Sequence, residues 1–156
     1  ADNFLVKRLN CTDVDNLRTD AILLKHFCRF ECRIHTDSSR YYCHICVDSA
    51  LGAAEMLEKD GIHAEVINIC TIKPLDEEII VNSAKKTGKV VTAEEHSVIG
   101  GLGSAVCDAL CKSYPVPVCK IGMQDVFGES GSAAALVEKY KLDAKGVYEQ
   151  VKTFLA

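Results

Sequence analysis

Four cysteines, two histidines and three arginines crowd the stretch FCRFECRIHTDSSRYYCHIC, residues 27–46. Cys28-x3-Cys32, followed after ten residues by Cys43-x2-Cys46, has the residue types of a structural zinc site, where four ligands converge tetrahedrally. A second stretch, EEHSVIGGLGSAV at 94–106, suggests a different chemistry. Glycines at a strand-to-helix turn expose backbone N–H groups at a helix N-terminus, an arrangement that suits a phosphate. Gly100, Gly101, Gly103 and Ser104 are therefore candidate anion-binding residues. As a dinucleotide fingerprint the stretch is incomplete. Val106 stands where the third glycine belongs, and no acid ends a following strand at the distance needed to hold a ribose. The same glycines would equally let a helix start pack tightly against a sheet.

Three further groups have chemistry-bearing residues. His96 follows Glu94 and Glu95 at the end of a predicted strand, where α/β sheets place their ligands. An acid–base role there needs a partner and a pocket; a loop hydrogen bond or a subunit interface needs neither. Asp125, Glu129 and Ser130 in QDVFGESG resemble paired carboxylates, but acids on a glycine loop more often serve turns and caps. Ser130 or Ser132 is placed to cap the helix that follows. Cys107 and Cys111 share a helix face, four residues apart, and could begin a metal site. Their apolar neighbours Leu102, Val106 and Leu110 favour buried thiols acting as small hydrophobes, and Cys70 and Cys119 in predicted strands read the same way.

The elements that must position these residues are legible from about residue 47. VDSALGAAEMLEKDG carries Val47, Leu51, Ala54 and Met56 or Leu57 at helical spacing and stops at Gly61. HAEVINICTI is an apolar strand ended by Lys73-Pro74. Asp76 begins a helix with acids in its first turn and lysines in its last, an order that complements the helix dipole. KVVTAEEH predicts a buried strand, and a helix runs from Gly103 to about Ser113. PVPVCKIGM predicts a strand with both prolines near its start. Helices follow at about 132–141 and after Asp143, the latter with Val147, Val151 and Leu155 on one face. Strands alternating with helices across short connections indicate a parallel sheet covered on both faces. The first forty residues follow neither period; a helix around 17–27 is the best reading of ADNFLVKRLNCTDVDNLRTDAILLKHF.

Composition sets the outer bounds. With 156 residues, the chain has the size of one domain with a real core. A net charge of -4 gives no basic field, which argues against nucleic acid or an anionic membrane as partner. No apolar run approaches the roughly 20 residues that span a bilayer, and the first residues lack the apolar stretch of a secretion signal. Nine cysteines, odd in number and mostly inside apolar segments, favour reduced thiols in a cytoplasmic protein over a disulfide framework.

From Glu65 to Asp143 the chain resembles the C-terminal domain of the transketolase family of thiamine-diphosphate enzymes. The blocks VINICTIKPLDEE, GKVVTAEEHSVIGGLGSAV, PVPVCKIGMQDVFGESG and LVEKYKLDA carry the likeness, with ALGAAEMLEKDGI less specific. FGESG is closer to transketolases, in particular separately encoded C-terminal subunits, than to deoxyxylulose-phosphate synthases or pyruvate-dehydrogenase β chains. The resemblance implies an α/β fold: a three-layer α/β/α sandwich around a mixed, mostly parallel, five-stranded sheet. It implies a domain over 41–156 and a divergent segment over 1–40. It also implies a place in a dimeric enzyme of pentose phosphate metabolism that moves two-carbon ketol units between sugar phosphates. In that family other domains bind thiamine diphosphate and its divalent metal. The resemblance therefore implies no cofactor, no metal and no catalytic residue on this chain, inactivity alone, and a catalytic transketolase chain as partner. His96, Phe127, Glu129 and Ser130 become candidate interface residues.

The resemblance also places YYCHIC on the first strand of the sheet. On a strand, Cys43 and Cys46 point to opposite faces and cannot share a metal unless the strand breaks. The change in pattern between CHIC and VDSALGAAEML leaves two explanations for the residues before about 45: a divergent N-terminal extension, or a segment read out of frame, which an unshifted gene would exclude. Two other functions stay open beside the transketolase one: a stand-alone anion-binding module using Gly100–Ser104, and a zinc protein using Cys28, Cys32, Cys43 and Cys46.

Overall fold

Capping chemistry sets the helix starts. In a computed structural model, which describes residues 21–26, 45–69 and 71–156, Asp76 accepts the amide of Ile79 at 3.1 Å and opens helix α2, Glu77–Thr87. Ser132 accepts from Ala135 and opens α4, Ala133–Lys139. Asp143 accepts from Gly146 and opens α5, Ala144–Leu155. Each side chain satisfies an amide that the first helical turn leaves without a partner. Of the two serines that the sequence offered for α4, Ser132 is the cap. Helices α1, Ile45–Lys59, and α3, Leu102–Ser113, complete the set among the described residues.

The strands are β1, Ala21–His26; β2, Ala64–Ile69; β3, Val90–Ser97; and β4, Val118–Met123. They form a sheet in the order β2-β1-β3-β4, and every pairing is parallel. Among the described residues the sheet therefore has four strands where five were expected. Ala21 pairs with Ala64 of β2, and Ile22 pairs with Val90 of β3, so β1 lies inside the sheet.

Two expectations near the N-terminus are corrected. Residues 21–26 form a strand and not part of a helix over 17–27. The short run AILL satisfies either period, and pairing to strands on both sides decides for extended backbone. The first strand is not YYCHIC: helix α1 already begins at Ile45 and includes Cys46, while Tyr41 to His44 lie outside the described residues. β1 precedes residue 41, where the sequence put the start of the domain.

The core lies in two layers. On one face of the sheet Ile67, Ile69 and Val90 pack with Ile80 and Ala84 of α2 and with Leu102, Val106 and Leu110 of α3. On the other, Val91, Ala93 and Ile121 pack with Ala50, Ala53 and Leu57 of α1 and with Val147 and Val151 of α5. The result is the three-layer sandwich. Leu57, Ile80, Leu102, Leu110 and Ile121 are fully buried, and truncating any of them to alanine costs about 2–5 kcal/mol. The α1 face differs from the one the spacing suggested: Leu51 is exposed, and the small Ala50 and Ala53 face inward. A Cβ on Gly52 would stand 2.9 Å from Ala144 of α5, so small residues are what let the two helices approach. Outside that contact, Tyr148 Oη and Lys152 Nζ of α5 donate to Asp60 Oδ2 at 2.5 and 2.7 Å. Those two bonds, Lys152 first, hold the Asp60 carboxyl below the usual carboxylate range.

Candidate functional site

Because all four strands run in parallel, the turns after β3 and β4 emerge at the same end of the sheet, and Val98 donates to Met123 O at 3.0 Å between them. The first turn, residues 97–101, leads into α3. Glu94 near the end of β3 is only 2% exposed. Its two carboxylate oxygens accept the amides of Leu102, at 2.8 Å, and Gly103, at 3.0 Å. A negative charge at a helix N-terminus, bonded to amides that lack helical partners, is well placed electrostatically. The protein's own carboxylate thus occupies the position an external phosphate would seek.

The rest of the turn is likewise bonded to itself. Ser97 Oγ accepts from Ile99, and Ser104 Oγ accepts from Gly100 at 3.0 Å while donating to Val98 O at 3.3 Å. Lys120 Nζ donates to the same Val98 carbonyl at 3.4 Å. The glycines have a steric reason. A Cβ at Gly101 would lie 1.9 Å from Glu94 Oε2, and one at Gly103 would lie 2.4 Å from Lys120 Cδ. An external anion at Gly100, Gly101, Gly103 and Ser104 would have to displace Glu94 and face its charge. His96 is exposed beside this turn, with Nδ1 3.3 Å from Ser97 O.

The second turn, residues 124–131, is built the opposite way. Phe127 is 97% exposed, Val126 54%, and Ile99 at the same end of the sheet 62%. The loop is nonetheless held: Val126 donates to Gln124 O at 2.6 Å, the Glu129 carboxylate pairs with Lys139 of α4, and Ser132 caps that helix. The Lys139 hydrogen bond keeps the Glu129 carboxyl below the usual range and the Lys139 ammonium above its own. A carboxylate so paired suits a clasp better than a general acid at neutral pH. His96, Phe127, Glu129 and Ser130 thus lie at one end of the sheet, all exposed. Sequence reasoning missed Ile99 and Val126 as members of the patch, although VFGESG has no period that could bury its apolar residues. It also missed the role of Glu94, whose signal was an acid closing a buried strand eight residues before a helix amide.

Of the cysteines weighed as zinc ligands, Cys28, Cys32 and Cys43 lie outside the described residues, as does Cys70, and Cys46 falls within α1. Cys107 and Cys119 are half-buried, and burial pushes both thiols up. Cys111 is exposed, which corrects its reading as a buried hydrophobe. Among the described residues no group of three or more His, Cys, Asp or Glu could hold a metal. No described helix is long and apolar enough to cross a membrane. An open hollow of about 570 Å³ lies at the other end of the strands, lined by Ile62, Thr87, Gly88, Lys89 and Leu155. The described residues do not fit thiamine diphosphate with its metal: the helix amides suited to a diphosphate are filled by Glu94, and no described carboxylate cluster offers metal ligands.

Comparison with known proteins agrees with this architecture. The chain is 53% identical over 103 residues to the 6-deoxy-6-sulfo-D-fructose transketolase subunit SqwH of Clostridium sp. (strain MSTE9), covering 66% of this chain and 32% of that protein. It is 43% identical over 96 residues to the 1-deoxy-D-xylulose-5-phosphate synthase of Heliobacterium modesticaldum (strain ATCC 51547 / Ice1), covering 61% of this chain and 15% of the synthase. A solved split-gene transketolase, described as an inactive beta4 tetramer, superposes with a TM-score of 0.73 at 45% identity. The match covers 89% of this chain and 40% of that one. The chain thus spans about a third or less of the curated relatives it matches. Residues 45–147 match the family of the transketolase C-terminal domain, and the chain belongs to that family.

Proposed function

We propose that the chain is the C-terminal, non-catalytic part of a thiamine-diphosphate-dependent transketolase, and that its own role is assembly. The observation that carries this reading is the exposed Phe127 on a loop pinned by the Glu129–Lys139 pair. A large apolar side chain fixed in place and fully open to water costs solvation free energy unless a partner covers it. Val126 and Ile99 widen the patch, and His96 and Ser130 give it a polar rim, the usual anatomy of a protein interface. The partner is a catalytic transketolase chain or domain that brings thiamine diphosphate and its divalent metal. A relative that is a transketolase subunit and a solved split-gene transketolase support a separately encoded partner. The self-filled turn at Gly100–Ser104 speaks against the alternative of a stand-alone anion-binding module.

Reconstitution tests the proposal. This chain, mixed with the remaining transketolase chain, thiamine diphosphate and Mg²⁺, is expected to support ketol transfer between sugar phosphates, and neither part alone should do so. Equal activity with this chain left out would count against the assembly role.

A further inference from the structure

The end of the sheet that carries Phe127 is uneven in charge as well as apolar. Between the pairs Ala93–Ile121 and Ser97–Met123, β3 runs Glu94, Glu95 and His96 against the single Gly122 of β4, so the strand bulges. Glycine fits opposite the bulge because a Cβ there would lie 2.8 Å from His96 O and 3.0 Å from Glu94 O. The bulged residues divide. Glu94 is buried against the amides of α3, whereas Glu95 and His96 are exposed. The segments 94–101 and 122–132 together hold Glu94, Glu95, Asp125 and Glu129 but no lysine or arginine. Helix amides take up the charge of Glu94, and Lys139 takes up that of Glu129. Lys120, from the middle of β4, donates to Val98 O. Glu95 and Asp125 are exposed acids. Asp125 stands two residues from Phe127, on the loop that the Glu129–Lys139 pair holds.

We propose that the catalytic chain covers this end with an apolar pocket rimmed by lysine or arginine: Phe127 enters the pocket and a cation on its rim meets Asp125. The inference rests on the assembly role above and adds the chemistry of the surface that docks. Ile99, Val126 and Phe127 supply the apolar centre, and a centre of that kind is closed by a polar rim. Like charges brought together on docking cost affinity, while opposite charges steer the encounter and fix its register. An acidic rim on this side therefore selects a basic one on the other. Arginine suits both parts, since its guanidinium stacks on an aromatic face and its fork pairs with a carboxylate.

The test is a binding titration of this full chain against the remaining transketolase chain at about 0.05 and about 0.5 M NaCl, where screening is weak and strong. It compares the parent with Asp125→Asn, Asp125→Arg, Phe127→Ala and Glu58→Gln, the last removing an exposed acid at the end of α1 that leads into β2. Asp125→Asn is expected to weaken binding about fivefold at low salt and less than about twofold at high salt. Asp125→Arg should weaken it further, about 20-fold at low salt. Phe127→Ala should bind about 30-fold more weakly at both salts, and Glu58→Gln like the parent at both. Because Asp125 is exposed, the urea midpoints of its variants should match the parent, which separates lost binding from lost folding. Asp125 variants that bind like the parent or tighter, with Phe127→Ala weakened, overturn the basic rim and leave the assembly surface standing. A loss in Glu58→Gln equal to that in Asp125→Asn overturns it too, since overall charge would then account for both. If Phe127→Ala also binds like the parent, the assembly reading of this surface fails along with the rim.

Discussion

Two turns leave the same end of the sheet side by side, and they solve opposite problems. The turn at 97–103 has the glycines and the helix N-terminus of a ligand site, yet Glu94 fills it from inside. The loop at 124–131 has no ligand-binding pattern, yet it holds Phe127 in water on a fixed frame. A helix N-terminus attracts negative charge whatever its source, so an acid supplied by the adjacent strand satisfies it as well as a phosphate does. An exposed aromatic has no internal substitute. The turn with the suggestive motif is therefore filled by the protein itself, and the plainer loop is the one that the proposed assembly role assigns to a partner.

The contrast can be broken at several points. Replacing Glu94 with alanine removes a buried acceptor shared by two amides and should destabilise the protein by about 3 kcal/mol, read as a lower urea midpoint. Gly101→Ala should cost somewhat less, about 2–3 kcal/mol, by driving a methyl into the Glu94 carboxylate. If either variant unfolds like the parent, the first turn is not sealed as described. Phe127→Ala should behave in the opposite sense. Its unfolding free energy should stay within about 0.5 kcal/mol of the parent, while affinity for the catalytic chain falls by about 2 kcal/mol, roughly 30-fold. Ser132→Ala removes a helix cap behind the loop and should cost about 1 kcal/mol, measurable in the same denaturation series.

The smallest effect concerns the clasp. Glu129 has its folded pKa lowered by Lys139, so its contribution is present above the ordinary carboxylate range and fades as pH falls through that range and below it. Lys139 is raised, so on the alkaline side the pair persists past the ordinary lysine value. An NMR titration of the Glu129 carboxyl should give a midpoint below that of a free glutamate in the parent and an ordinary one in Lys139→Met. Stability at neutral pH should hardly change between them, because the pair is exposed.

Most of the fold from α1 onward could be read in the chain, because period, caps and breakers agree there. Asp76 and Asp143, where the sequence places two helix starts, are the observed caps. β1 could not be read, since six residues in a long unpatterned stretch become a strand only through partners some forty and seventy residues away. The inward face of α1 was misread because Leu51 is larger than Ala50 and Ala53, and hydrophobicity alone does not reveal that α5 approaches too closely for a large side chain. At the candidate site, His96, Phe127, Glu129 and Ser130 were named from sequence, and the structure gathers them at one end of the sheet. Glu94 was seen only as a neighbour of His96, because its one signal, an acid near the end of a buried strand, does not say which amides it reaches.

Hydrogen exchange along the whole chain, with and without the catalytic transketolase chain, tests the central contrast most directly. Added partner should slow exchange across 124–131 and at Ile99 and Gly100, while the amides of Leu102 and Gly103, already bonded to Glu94, should change little. Protection that appears on the outer faces of α1 and α5 instead, with 124–131 exchanging as freely as before, would contradict the account.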